Sequence, residues 1–275
     1  MSLGPDSMLL TDRRALVTGA ARGIGRATAI ALARFGAHVA VCDRLGDELE
    51  GTVAEIGSLG REAPSAVLDV RDTAAVQEWV GRLGVDWPDL HVLVNNAGGG
   101  FVAEVTELSA KGQAALIAEN FTQVVDVTRT CVPLLGAGAT VEGGSAVVNI
   151  TSVEAHRAGP GFGIYSAMKA GVANLTKTLA LELATQRVRV NAIAPDMIPT
   201  PGDDFLSDES GAVANTEWAR TPWPEVGDPD DVAAAVGWRA SPMARFVTGS
   251  TVHVDGGTLA ASGWKRPTDG GGWVL

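Results

Sequence analysis

A chain of 275 residues with 46% hydrophobic and 19% charged residues has the composition of a soluble globular protein and excludes a disordered one. Its formal net charge of −11 argues against partners such as nucleic acid or an anionic membrane, since both are polyanions and no basic run offsets the excess. No apolar run reaches the roughly 18 to 20 residues of a membrane span. No charged n-region precedes an apolar run at the start, and Cys42 and Cys131 lie far apart in apolar contexts, as expected of buried free thiols in a cytoplasmic protein.

Residues 1 to 10 read as a flexible leader containing a second methionine, Met8. From there on, short β-rich apolar runs alternate with stretches of helical spacing, the pattern of βαβ units around a parallel sheet. Strands are expected near 15–18 (ALVT), 38–42 (HVAVC), 65–69 (SAVLD), 91–95 (HVLVN), 145–151 (SAVVNIT), 188–194 (VRVNAIA) and 250–254 (STVHV). Helices are expected over about 24–36, 46–59, 72–84, 107–135, 162–185 and 229–240. With no repeat and no low-complexity linker, residues 11–262 form one doubly wound α/β domain. The Pro- and acid-rich stretch 195–229 is expected to be a lid, because so long an irregular segment inside a compact domain usually covers a site. A tail over 263–275 offers Trp264 and Trp273 to this subunit or a neighbouring one.

TGAARGIG, Thr18 to Gly25, follows the first strand and opens the first helix. Glycines there let the backbone approach a pyrophosphate, whose charge is met by the unpaired N–H groups of the helix start. The cofactor-binding expectation covers Gly19, Arg22, Gly23, Ile24 and Gly25. Asp43 ends the second strand, where a carboxylate accepts both ribose hydroxyls of an adenosine and repels a 2′-phosphate. NAD is therefore favoured over NADP, although Arg22 and Arg44 could each pair with a 2′-phosphate.

IYSAMKAG, residues 164 to 171, holds the only tyrosine of the chain. Tyr165 and Lys169 are spaced i, i+4 and so share one helix face. A free phenol ionises near pH 10, and a neighbouring ammonium lowers that value, so one residue can exchange a proton near neutrality. Ser152, just past the fifth strand, stands at the carboxyl edge of the sheet, where ligands bind in such folds; taken alone, a serine there is more often a helix cap or turn residue.

TGAARGIG, the NNAG of residues 95–98, and Ser152 followed thirteen residues later by YSAMK together resemble the short-chain dehydrogenase/reductase family across residues 13 to 257. The resemblance implies a Rossmann-type, doubly wound parallel sheet of about seven strands with helices on both faces. It also implies nicotinamide-dependent chemistry on a small-molecule alcohol or ketone, and a homotetramer or homodimer. By resemblance Tyr165 is the general acid–base, Lys169 its partner and a ribose ligand, Ser152 the group that orients the reacting oxygen, and Asn120 the fourth catalytic residue, holding a water. Asp69 and Val70 match the adenine contacts, and Asn96, Ala97 and Gly98 the cofactor cleft. Ile150, Pro195, Met197, Ile198 and Thr200 match the nicotinamide side. No metal is expected. An epimerase or dehydratase of the extended relatives, and a nucleotide-sensing protein without catalysis, are the alternatives.

Where the family usually has Pro-Gly after the sixth strand, this chain has Pro195-Asp196. Asp tolerates a left-handed backbone better than most residues, so the loop is expected to survive the replacement, with an unusual charge on the nicotinamide side. His156, Phe162 and Met197 are candidates to face the substrate, or else serve only as packing, while Phe205, Leu206, Trp218 and Trp223 give the lid apolar character.

Overall fold

Seven parallel strands form one sheet in the order β3-β2-β1-β4-β5-β6-β7. They are β1 (Arg14–Thr18), β2 (His38–Asp43), β3 (Ser65–Val67), β4 (Val92–Asn95), β5 (Ser145–Ile150), β6 (Val188–Pro195) and β7 (Thr251–Val254). The computed structural model describes residues 4–201, 219, 221–269 and 271–274. The expected lid is therefore covered only at its two ends, and Phe205, Leu206 and Trp218 lie outside the described residues.

The strand sequences read as continuous apolar runs because both sheet faces are covered. In β1, Ala15 and Val17 belong to one core and Leu16 to the other; in β4, Val92 and Val94 face the first and Leu93 the second. This is the period of two that sends successive side chains to opposite faces. Helices α1 (Gly23–Arg34) and α7 (Pro229–Ala240) pack closely against each other and contribute to the first core, with α2 (Gly46–Ser58) beside α1. Helices α3 (Thr73–Asp86) and α5 (Gln123–Gly138) pack together over the second core, which also takes Ala180 and Leu183 from α6 (Gly163–Glu182) and the residue after it. Both cysteines are buried and free there, and burial raises both thiol pKa values.

Three sequence expectations change. The helix expected over 107–135 is two, α4 (Ala110–Ile117) and α5, joined by a π-helical turn, Ala118–Thr122. Its extra residue per turn coincides with Asn120, which is fully buried; such bulges recur at functional sites. Strand β3 stops at Val67 because Asp69 turns back onto Arg71, accepting from its backbone N–H at 2.9 Å. The stretch expected as a flexible leader contains a short 3-10 helix, Pro5–Met8, packed on the turn at Pro242–Ala244, and Leu10 is fully buried.

Strands β2 and β3 wind outward from β1 on one side, and β4 to β7 on the other. The connections diverge between β1 and β4, which opens a crevice at the carboxyl ends of the strands. Thr18, Asp43, Asn95, Ile150 and Pro195, the last residues of their strands, all reach this edge.

Candidate active site

One cavity of about 510 Å³ occupies that crevice. Every residue expected to bind cofactor or act in catalysis lines it except Asn120, which lies behind its wall. The cavity also takes in Leu45, Leu68, Arg71, Gly99, Gly100, Glu119, Thr151, Glu154, Phe162 and Asp196, of which the sequence reading had placed only Phe162 near the substrate. Arg71 and Glu119 are adjacent in sequence to expected residues, so a charged neighbour was the available signal. His156 is not among the lining residues; its ring packs edge-on against His253 with centroids 4.7 Å apart.

The phosphate loop is held by side chains rather than by the helix it opens. Asn96 Nδ2 donates to the carbonyls of Thr18 and Gly19, both at 3.0 Å, and Thr18 Oγ1 accepts from the N–H groups of Asn96 and Ala97, both at 3.1 Å. Helix α1 begins after Arg22 with no side chain capping it, which leaves its first N–H groups facing the cavity. At Gly25 a Cβ would overlap the Gly19 carbonyl oxygen and the Asn96 amide nitrogen. The loop thus fits a dinucleotide pyrophosphate: a helix start that no side chain caps, its positive end, and backbone that approaches where a side chain would intrude. Gly25→Ala is expected to weaken NADH binding by about tenfold or more and lower the melting temperature by several degrees, because the displaced loop costs about 1–3 kcal/mol. Fluorescence titration with NADH and a thermal melt check it.

At the end of the cavity beside β2, Asp43 Oδ2 accepts from Ala21 N–H at 3.0 Å and Oδ1 from Leu45 N–H at 3.1 Å. Each oxygen keeps lone-pair capacity for a ribose hydroxyl. Asp69 is bound by the guanidinium of Arg71, with Nη2 to Oδ2 at 2.5 Å, and this bond holds its carboxyl below the usual range. Arg22 lies 3.9 Å from Glu48.

At the other end, Tyr165 and Lys169 both line the cavity from α6. The ammonium of Lys169 stands 5.6 Å from the Tyr165 ring centre and donates to Ile150 O at 3.0 Å. Only 5% of Lys169 is exposed, and this burial brings its pKa down to about 8, opposed by the nearby Glu119 carboxylate. Ser152 Oγ accepts from Glu154 N–H at 3.2 Å, capping the short turn Val153–Ala155. The two sequence readings of Ser152 are compatible: the cap uses a lone pair and leaves the O–H free to donate into the cavity.

Asn120 Nδ2 donates to Gly99 O at 2.7 Å and Leu116 O at 3.0 Å, and its Oδ1 accepts from Gly99 N–H at 3.3 Å. A Cβ at Gly98 would stand 3.1 Å from Asn120 Oδ1 and 3.2 Å from Lys169 Nζ, so both side chains converge on that glycine. The first asparagine of NNAG turns away from the cleft: Asn95 Nδ2 donates to Asn149 Oδ1 at 2.8 Å, and Asn149 Nδ2 to Thr176 Oγ1 at 2.9 Å, tying β4, β5 and α6 together.

In the loop after β6 the left-handed backbone is at Met197, with φ 53°, and not at Asp196. Asp196 still belongs to the ladder with β7, its N–H donating to Val254 O at 3.1 Å, so the chain turns one residue later.

Comparison with known proteins agrees with this geometry. The family model described as enoyl-(acyl carrier protein) reductase matches residues 19–258. An uncharacterized oxidoreductase of Mycobacterium tuberculosis is 36% identical over 252 residues, covering 92% of this chain and 94% of that protein. The 3-oxoacyl-[acyl-carrier-protein] reductase of Thermotoga maritima is 35% identical over 252 residues, covering 92% of this chain and all of the relative (100%). Among solved structures, carveol dehydrogenase from Mycobacterium avium in complex with NAD superposes with a TM-score of 0.83 at 29% identity, over 91% of this chain and 99% of that one.

Proposed function

The chain belongs to the short-chain dehydrogenase/reductase family, and from that membership we propose that it interconverts a secondary alcohol and a ketone with Tyr165 as general acid–base. Its class of activity is NAD(P)-dependent oxidoreduction. When bound, the nicotinamide supplies the hydride acceptor or donor. The observation that carries the reading is the convergence of Ser152, Tyr165 and Lys169 on one cavity wall, with Asn120 directly behind.

The chain's own residues divide the work. Ser152 donates its free O–H to the reacting oxygen, and Tyr165 Oη exchanges a proton with that same oxygen; two donors aimed at one atom stabilise the charge that develops there. Lys169 keeps its ammonium near the phenol and, with one N–H spent on Ile150 O, has two left for a ribose hydroxyl. Asn120, its amide anchored on Gly99 and Leu116, positions a water that links Lys169 to solvent. This four-residue constellation supports catalysis over nucleotide sensing. Turnover of a broad alcohol and ketone panel, followed at 340 nm, tests the assignment; an inert panel with NADH still bound would sink it.

NAD is the preferred cofactor in this reading, because Asp43 presents a carboxylate fixed by two backbone N–H groups where a 2′-phosphate would stand. The expected preference in kcat/KM for NADH over NADPH is about 10- to 100-fold, set by like-charge repulsion. Asp43→Ala should shrink that ratio chiefly through KM. The single domain with a lid over 195–229, a cytoplasmic location and a homotetramer or homodimer belong to the same proposal. Exposed Phe246 and Leu181 support association, which light scattering measures. Among the described residues no helix is long and apolar enough to cross a membrane.

A further inference from the structure

Beyond Ser152 and Tyr165, the substrate end of the cavity carries charge that alcohol–carbonyl chemistry does not require. Glu154, two residues past Ser152, and Asp196, one past Pro195, both line it. Their carboxylates come from the loops after β5 and β6, and Arg157 joins them. Its Nη2 donates to Glu154 Oε1 and to Asp196 Oδ2, both at 2.8 Å, and its Nε to Glu154 Oε1 at 3.0 Å. Thr258 Oγ1 donates to the same Asp196 oxygen at 2.6 Å. Glu154 Oε2 is sealed from solvent without a hydrogen-bond partner among the described residues, against Gly159, where a Cβ would stand 2.5 Å away.

The geometry is that of a braced acidic wall. Both carboxylate residues line the cavity, whereas Arg157 does not, among the described residues. Two negative charges share one guanidinium, and the Glu119 carboxylate offsets the Lys169 ammonium in the same cavity. The neighbouring His156 adds no compensating charge near neutrality, because burial, His253 and Lys177 all disfavour its protonation. An incoming anion therefore meets excess negative charge within a low-dielectric cleft, where repulsion is felt more strongly than in water.

We propose that the Glu154–Arg157–Asp196 wall selects substrates by charge, admitting uncharged or cationic secondary alcohols and ketones and discriminating against those carrying a carboxylate or phosphate. Thioesters on a phosphopantetheine arm fall in the rejected class. The inference rests on the alcohol–carbonyl reading of the same site.

Three probes on one ring test it: 4-methylcyclohexanone, 4-oxocyclohexanecarboxylate and 4-aminocyclohexanone. Their kcat/KM values with NADH are compared at low and high salt, and their binding to the cofactor-free protein is read by ligand-observed NMR. The neutral and cationic probes should exceed the carboxylate by about tenfold or more at low salt, with the gap narrowing as salt screens the wall. Glu154→Gln, nearly isosteric, should narrow the gap alone. In the double variant with Asp196→Asn the preference should invert, since Arg157 then stands unpaired. Equal or better use of the carboxylate by the parent protein, or a ratio unmoved by Glu154→Gln, would overturn charge selection. If no probe turns over, the alcohol–carbonyl reading fails, while the order of NMR affinities still decides for or against the wall.

Discussion

Tyr165→Phe is expected to lower kcat by about 10²- to 10⁴-fold while the dissociation constant of NADH stays within about twofold. The substitution removes one oxygen and nothing else. The ring that packs at 6.1 Å from Phe162 and 5.6 Å from the Lys169 ammonium remains, so the cavity keeps its shape. In the proposed mechanism, what disappears is the proton donor for the reacting oxygen and one of the two groups that stabilise its developing charge. Stopped-flow turnover alongside NADH fluorescence titration separates the two effects. Near-normal kcat would remove Tyr165 from the chemistry, and a parallel loss of NADH binding would make it a structural residue. Because it is the only tyrosine of the chain, its absorbance near 295 nm can be titrated in the parent protein with no other phenol present.

Lys169→Met is expected to abolish most activity and at the same time stabilise the cofactor-free protein near neutral pH. Methionine matches the length of lysine but has no charge to bury. In the parent the ammonium sits in a buried site that brings its pKa to about 8, against an ordinary 10.5 in the unfolded chain. Between these values the unfolded state binds more protons than the folded one, so stability rises as pH increases from about 8 towards 10.5. Below about 8 both states are protonated and the cost of burial is fully present, on the order of 3 kcal/mol before the lost bond to Ile150 O is counted. Denaturant melts at pH 7, 9 and 10 should show this upward slope in the parent and lose it in the variant. An identical slope in both would mean that the ammonium is solvated, and its place in the proton path would fall with it.

Much of the site was legible because its parts are local. The phosphate loop is eight consecutive residues between a strand and a helix, and Tyr165 and Lys169 meet because α-helical spacing stacks i with i+4. The sheet was legible for the same reason: buried on both faces, its strands read as apolar runs of about four to eight residues. The Ser152 position came from the end of a strand, and the parallel order brings all strand ends to one edge.

The remainder depended on contacts between segments with no shared period. The π turn at Asn120 forms where its amide bonds the Gly99 carbonyl, 21 residues away. The left-handed residue of this loop is Met197 and not Asp196 because Asp196 stays paired with β7, a partner 58 residues distant in the chain. The acidic wall needs Arg157 to reach Asp196 across 39 residues, and the depressed lysine needs the burial that only packed elements provide.

The sequence by itself determined the fold class, the glycine-rich loop between β1 and α1, and the spacing that stacks Tyr165 and Lys169 on one helix face, since periodicity and spacing act within a few residues of chain. Only the tertiary structure decided how those residues are charged, what braces them, and which carboxylates face the substrate, since burial and ion pairing arise where separate elements meet.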